Sequence, residues 1–196
     1  MKQFRLPIFA SKIKYYNLRI VPSDTIFNEV IAIKKQFESV FGKLPLSSSK
    51  PHITVATFKM NSKNEKLLIE VLEQLSQRES FTLNLGGFGV FERSKTLFLN
   101  VQKTKSIGLL HNDLQTLYDK HLKRKLKLFA ISREPHMTIS KTSGRTMLYQ
   151  SLQHFLKEDY KKQIVVNHLS LVSRAKYKSW NWERRIELVQ NKLETH

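Results

Sequence analysis

Two histidines stand in the same five-residue setting. Pro-His-Ile-Thr-Val at 51–55 is matched by Pro-His-Met-Thr-Ile at 135–139, so His52 and His136 lie 84 residues apart. A β-strand alternates its side chains between two faces. His52 and Thr54 therefore share one surface, and His136 and Thr138 share another. Ile53, Val55, Met137 and Ile139 turn to the opposite, apolar side. An imidazole titrates near about pH 6.5, so one of a facing pair can be neutral while the other is protonated. The neutral one takes a proton from water and the protonated one gives a proton to a leaving oxygen. Positioned transfers of this kind contribute roughly 10²–10⁴-fold in rate. Threonine hydroxyls can donate to non-bridging phosphate oxygens as charge builds on them. Two proton-transfer groups flanking one phosphorus suit in-line cleavage of a phosphodiester without a metal. Zinc is the competing use of paired histidines. It wants three or four ligands, usually with a carboxylate or thiolate among them, and neither motif supplies an acidic residue at strand or helix spacing. His111, His121, His154, His168 and His196 lack the setting and read as surface or partly buried residues.

The elements that must position these groups follow from apolar spacing. IKYYNLRIV (13–21) is rich in β-branched and aromatic types and reads as a strand ended by Pro22. Ser23 and Asp24 supply cap chemistry for a helix with Ile26, Val30, Ile33, Phe37 and Val40 on one face, closed by Gly42. A polar loop (43–50) leads to a strand at 52–58, and Leu67, Leu68, Val71, Leu72 and Leu75 mark a helix within 62–77. Strands at 81–91 and 96–102, joined by the charged turn 92–95, predict a hairpin. A longer helix is expected over 105–127, then the second motif strand (135–140), a helix near 144–158, and strands near 163–173 and 183–190. Each motif is thus followed by a helix and two strands, and FLNVQ (98–102) is echoed by IELVQ (186–190). The repeat predicts two pseudo-twofold lobes with the histidine strands meeting at the axis. The fold class expected is α+β, with antiparallel sheets flanked by helices around a central cleft. The whole chain reads as a single two-lobed domain preceded by a short extension at 1–12.

Bulk composition narrows the partners. The 196 residues include 34 Lys and Arg against 16 Asp and Glu, a formal charge of +18. Such a surface attracts polyanions such as RNA. A hydrophobic share of 40% supports a packed core, and the absence of Cys excludes disulfides, thiolate metal sites and a Cys nucleophile. It also fits a reducing cytoplasm. No apolar run is long enough for a membrane helix, and the N-terminus does not read as a secretory signal.

The pair PHITV and PHMTI resembles the two His-x-Thr/Ser motifs of the two-histidine phosphoesterase superfamily. The chain is most similar to its 2′-5′ RNA ligase-like branch, which includes the RNA 2′,3′-cyclic phosphodiesterases, over about residues 14–190. The resemblance implies His52 and His136 as the acid/base pair, Thr54 and Thr138 as phosphate ligands, and no metal or other cofactor. Related sequences often carry an Arg two residues past the apolar position of the second motif. Lys141 stands there in this chain and keeps the positive charge without the bidentate fork. Where relatives often follow the first motif with a Phe-Leu-Gly-like segment, this chain has Phe58, Lys59 and Met60.

An RNA end also needs cations for backbone phosphates and aromatic rings for bases. The segment 173–185 offers Arg174, Lys176, Tyr177, Lys178, Trp180 and Trp182, with Tyr177 and Trp180 as candidate substrate-binding residues. Its bland alternative is a solvated hairpin loop whose tryptophans cap the core. Phe91 is a further stacking candidate. The basic run 120–127 reads most simply as the cationic end of a helix. The function expected is hydrolysis of a 2′,3′-cyclic phosphate or a 2′-5′ linkage on RNA or a nucleotide by a cytoplasmic monomer with no membrane partner. Two rivals stand beside it: a non-catalytic module that grips RNA ends, and the same chemistry on a small cyclic nucleotide.

Overall fold

The computed structural model describes residues 12–190. The expected extension lies outside them except for Lys12. Among the described residues, four α-helices and nine strands follow in the order β1 (Ile13–Ile20), α1 (Asp24–Phe41), β2 (Ile53–Asn61), α2 (Glu65–Glu73), β3 (Phe81–Phe91), β4 (Thr96–Val101), α3 (Lys105–Leu117), β5 (Leu126–Ile131), β6 (His136–Lys141), α4 (Arg145–Phe155), β7 (Lys161–Val166), β8 (His168–Ala175) and β9 (Trp182–Glu187).

The strands form one sheet in the order β7-β3-β4-β6-β2-β1-β8-β9, with β5 also pairing β2. Every pairing between these strands is antiparallel. At the centre β2 meets β6 through the pair Ile53–Met137. These are the residues that directly follow the two histidines, so the motif strands do meet at the pseudo-twofold. On one side of the junction lies β2-β1-β8-β9, and on the other β6-β4-β3-β7. The order reads the same from the centre outward, strand for strand.

The repeat unit itself differs from the expected one. The hairpin β3–β4 does not sit beside the motif that precedes it. Both its strands lie in the second lobe, where β4 pairs β6. Matching strands by their place in the sheet makes each unit strand-helix-strand-helix-strand, namely β1-α1-β2-α2-β3 and β4-α3-β6-α4-β8. The boundary between units falls in the turn 92–95. Each lobe is therefore built from both halves of the chain. Strand β3 of the first unit pairs β4 and β7, and helix α1 packs on β6 and α4. Strand β8 of the second unit pairs β1, and α3 packs on α2.

Two further expectations are corrected. The helix expected over 105–127 ends its α-helical part at Leu117, passes through one wide π-helical turn (Tyr118–Leu122), and gives way to β5. Lys125 and Lys127 are therefore not a helix terminus. Leu122 still reaches the core, so apolar spacing continued past the helix itself. The strand expected over 163–173 is two strands, β7 and β8, broken at Asn167.

One apolar core runs beneath both lobes. It takes Tyr16, Leu18 and Ile20 from β1, Ile53, Val55 and Phe58 from β2, and Met137 and Ile139 from β6. Helix α1 buries Ile26, Val30, Ile33 and Phe37 against it, whereas Val40 is about half exposed. Lys34 is also buried on that face. Its ammonium donates to the carbonyls of Leu46 and Ile139 and to Ser49 Oγ at 2.9, 3.0 and 3.2 Å. It thereby ties the loop that leads into the first motif to the strand that carries the second. Burial pushes the Lys34 ammonium down to about 8.

Candidate active site

Each motif strand keeps its apolar residues in the core and leaves His and Thr on the open face. Ile53, Val55, Met137 and Ile139 are fully buried, and His52, Thr54, His136 and Thr138 are half-buried. The two imidazoles are held alike. His52 Nδ1 lies 2.8 Å from the Lys50 carbonyl, and His136 Nδ1 lies 2.8 Å from the Glu134 carbonyl. A carbonyl only accepts, so each Nδ1 carries the proton and each Nε2 is left for chemistry. The local cause is in the sequence. Pro51 and Pro135 restrict the residues before them, Lys50 and Glu134, to extended backbone. In both motifs the carbonyl two residues before the histidine reaches its ring.

The surroundings of the two rings differ. Burial, reinforced by the Arg19 guanidinium, pushes the His52 imidazole down to about 4, with Lys34 and His136 adding in the same direction. Arg19 pairs with Thr54 across β1–β2. It is buried, with its side chain in line with Asn17 on the cleft face, and its Nε donates to Asn17 Oδ1 at 3.1 Å. Asn17 in turn donates to the hydroxyl oxygens of Thr54 and Thr57 at 3.5 and 3.4 Å. Thr54 thus accepts from its own lobe and keeps its O–H to give. Arg19 also lies 5.0 Å from the centre of the Trp180 ring, with Arg174 4.7 Å from the same ring. Burial lowers the Arg19 guanidinium to about 10, so it remains charged at neutral pH.

His136 faces an aromatic wall instead. Phe91 meets its ring edge-on at 4.8 Å and Phe98 lies at 5.3 Å, while the two phenylalanines stack at 4.2 Å. Phe98 pairs with Thr138 as Arg19 pairs with Thr54. The two walls therefore correspond by symmetry but not in chemistry. Gly89 makes the aromatic wall possible. A Cβ there would stand 2.8 Å from both Asn100 Oδ1 and the Phe98 ring.

Of the residues expected from sequence, the structure brings His52, Thr54, His136, Thr138 and Phe91 to one cleft. Trp180 joins it through Arg19. Lys141 is exposed on the same face of β6, opposite Thr96. Tyr177 is not brought to the histidines. It is 85% exposed at the tip of the β8–β9 turn, at the strand end where Ala175 pairs Lys14, far from the Arg19–Thr54 end. Trp182 packs against the core, as the bland reading of that loop had it. Arg19, Asn17 and Phe98 were not anticipated. The signal for Arg19 and Asn17 was the alternation Tyr15, Asn17, Arg19 against Tyr16, Leu18, Ile20, which marks a polar face on β1. Its use depends on knowing that β1 lies beside β2. Among the described residues no cluster of three or more His, Asp or Glu is placed to hold a metal ion, and no helix is long and apolar enough to cross a membrane.

Solved structures share this architecture. Escherichia coli LigT complexed with 3′-AMP superposes with a TM-score of 0.66 at 16% identity, over 90% of this chain and 99% of that one. The Thermus thermophilus protein TT0787 gives 0.62 at 12% identity, over 90% and 99%. A search of curated protein sequences returns no match. The sequence pattern of the 2′-5′ RNA ligase superfamily matches residues 22–178, a span that takes in both motifs, Phe91 and Phe98. With the paired motifs, the paired lobes and that match in agreement, the chain belongs to the 2′-5′ RNA ligase superfamily.

Proposed function

We propose that the protein is a phosphodiesterase that opens 2′,3′-cyclic phosphates at RNA ends by two-histidine acid/base catalysis. The observation that carries this reading is the matched anchoring of His52 and His136, each presenting Nε2 at the junction of the lobes. His52 is the base. Its lowered affinity for protons keeps it neutral at pH 7, so Nε2 accepts a proton as water attacks phosphorus. His136 is the acid and gives its Nε2 proton to the departing ribose oxygen. One P–O bond forms and one breaks; His52 has gained a proton from water, His136 has lost one to the ribose oxygen, and exchange with solvent resets both. Thr54 and Thr138 donate to the non-bridging oxygens. Arg19, and Lys141 at the rim, offset charge on the phosphoryl group. Phe91, backed by the buried Phe98, gives the terminal base a ring face to stack on, and Trp180 holds Arg19 in place.

The test is an RNA with a 2′,3′-cyclic phosphate end, incubated with the protein in EDTA. Opening to a monophosphate is expected, with a loss of at least ~10²-fold in His52→Ala and in His136→Ala. Wild-type rates in either folded variant would refute the assignment. Salt-dependent RNA binding that survives both substitutions, without turnover, would establish the binding-module reading instead.

A further inference from the structure

A groove of about 920 Å³ lies on the second lobe, beside the cleft. The two are connected through Asn100, which stands directly opposite His136 on β4. Residues paired in this way project to the same face of a sheet. From Asn100 the groove runs outward over β3 to the edge strand β7. Its floor is the bare peptide of Gly86 and Gly87, where a bulge interrupts the β3–β4 register. Gly87 adopts φ +67°, which favours glycine, and a Cβ on either residue would meet nothing nearer than 3.7 Å. The floor is therefore open and flat.

Beside this floor three exposed amides form a chain across three neighbouring segments. Gln163 Nε2 donates to Asn84 Oδ1 at 3.4 Å, and Asn84 Nδ2 donates to Gln102 Oε1 at 3.0 Å. Each link uses one donor and one acceptor. The Gln163 oxygen, one N–H each of Gln163 and Asn84, and both N–H groups of Gln102 are left unused by these bonds. These bonds line up one free acceptor and four free N–H donors along the groove. Such a row can donate to the ring nitrogens and carbonyl oxygens on the edge of a nucleobase and accept from its exocyclic amino group. The groove's size is that of a nucleotide-scale site. Its charges do not by themselves select an anion, because Lys161 is paired with Asp159 and Lys162 with Glu29. Recognition here runs through amides and a flat floor, on a protein whose overall charge of +18 supplies the attraction to a polyanion.

We propose that this groove is a second nucleotide subsite: it takes the nucleotide on the 5′ side of the cyclic-phosphate end, lays it over Gly86 and Gly87, and reads its base edge with Asn84, Gln102 and Gln163. The proposal deepens the cyclic-phosphodiesterase reading and rests on it for the identity of the ligand. It makes the enzyme selective for RNA over mononucleotides.

Two measurements test it. The first compares kcat/KM on a 2′,3′-cyclic mononucleotide and on dinucleotides ending in the same cyclic phosphate. One or two base-edge hydrogen bonds are expected to give the dinucleotide an advantage of ~10-fold, dependent on its 5′ base. Asn84→Ala, and Gly86→Leu, which fills the floor, should reduce that ratio towards one. A wild-type ratio near one, or a ratio kept by both folded variants, overturns the proposal. The second measurement needs no turnover. Amide NMR spectra are recorded with a 3′-phosphorylated mononucleotide and with the corresponding dinucleotide. Shifts at the Gly86 and Gly87 backbone amides and the Asn84 and Gln163 side-chain NH₂ groups should appear with the dinucleotide alone. If neither cyclic substrate is opened, the chemistry has failed while these shifts still decide the subsite. Their absence with the dinucleotide overturns it.

Discussion

Replacing Arg19 by methionine should move the titration of His52 upward by about one unit. Arg19 pairs with Thr54, two residues from His52. A strand rises about 3.3 Å per residue and neighbours lie about 4.8 Å apart, so the two groups are on the order of 8 Å apart. Two unit charges at that distance interact by about 2 kcal/mol at an effective dielectric of 20, and solvent in an open cleft reduces this to ~1 kcal/mol. That is somewhat under one pKa unit. The guanidinium disfavours an imidazolium beside it, so its removal makes His52 easier to protonate. His52 should rise from about 4 towards ~5 and remain well short of an ordinary histidine, because burial, the larger cause, is untouched. The assay is a pH titration of the His52 Cε1–H resonance, with the acid limb of kcat/KM on a cyclic phosphate as its functional counterpart. The limb should move to higher pH by the same amount. Arg19→Lys is the control, since it keeps the charge and loses the planar contact with Trp180. An unmoved His52 titration in folded Arg19→Met protein would refute the coupling. A rise to about 6.5 or beyond, the ordinary histidine value, would refute burial as the main cause.

Other perturbations have outcomes as definite. Thr54→Val and Thr138→Val each keep the side-chain shape and remove the donor; each should lower kcat ~10-fold or more with little change in KM, and a loss confined to KM would refute transition-state donation. Gly89→Ala places a methyl 2.8 Å from the Phe98 ring and from Asn100 Oδ1, so it should displace the wall from His136, change the ring-current shift of the His136 Cε1–H resonance, and reduce kcat/KM; an unaltered resonance would sink this account. Lys34 sits near 8 in the folded protein and near about 10.5 unfolded, so between those values the unfolded chain binds the proton more tightly and this group raises stability as pH rises. Urea unfolding at pH 8 and pH 10, roughly the two ends of that window, should show the rise in the wild type relative to Lys34→Met, and parallel behaviour of the two proteins would refute it.

The half of the candidate site built from the two motifs was legible because its information is local. Two five-residue motifs fix which side chains share a face, and the prolines that precede the histidines fix the carbonyls that orient them. Phe91 was legible for a similar reason, as an aromatic closing a strand of the expected hairpin. What the sequence did not disclose is non-local. Arg19 matters because β1 lies between β2 and β8, and Phe98 because β4 lies beside β6; neither neighbour is implied by chain order. Tyr177 and Trp180 share one basic aromatic segment, yet a turn leaves one in solvent and returns the other to Arg19. Strand β5 was hidden by continuity. Leu110, Leu114, Leu117 and Leu122 maintain a helical stripe up to the residues where LKLFAI begins, and the wide turn at Tyr118–Leu122 absorbs the change.

The division of the chain at the turn 92–95 has a consequence for what a single polypeptide makes possible. A protein of half this length, one strand-helix-strand-helix-strand unit, would lack the helix and strand that complete either lobe. Two copies would supply them to each other by exchanging those arms, and the resulting homodimer would set two histidines across its axis in identical surroundings. Identical imidazoles have identical proton affinities until substrate binds, so neither copy could be assigned in advance to take the proton or to give it. Joining the halves in one chain frees the two positions to diverge. In this protein they have: a cation stands beside Thr54, and a benzene ring stands at the matching place beside Thr138. The covalent link between the repeats is thus the condition for the fixed direction of proton flow proposed above.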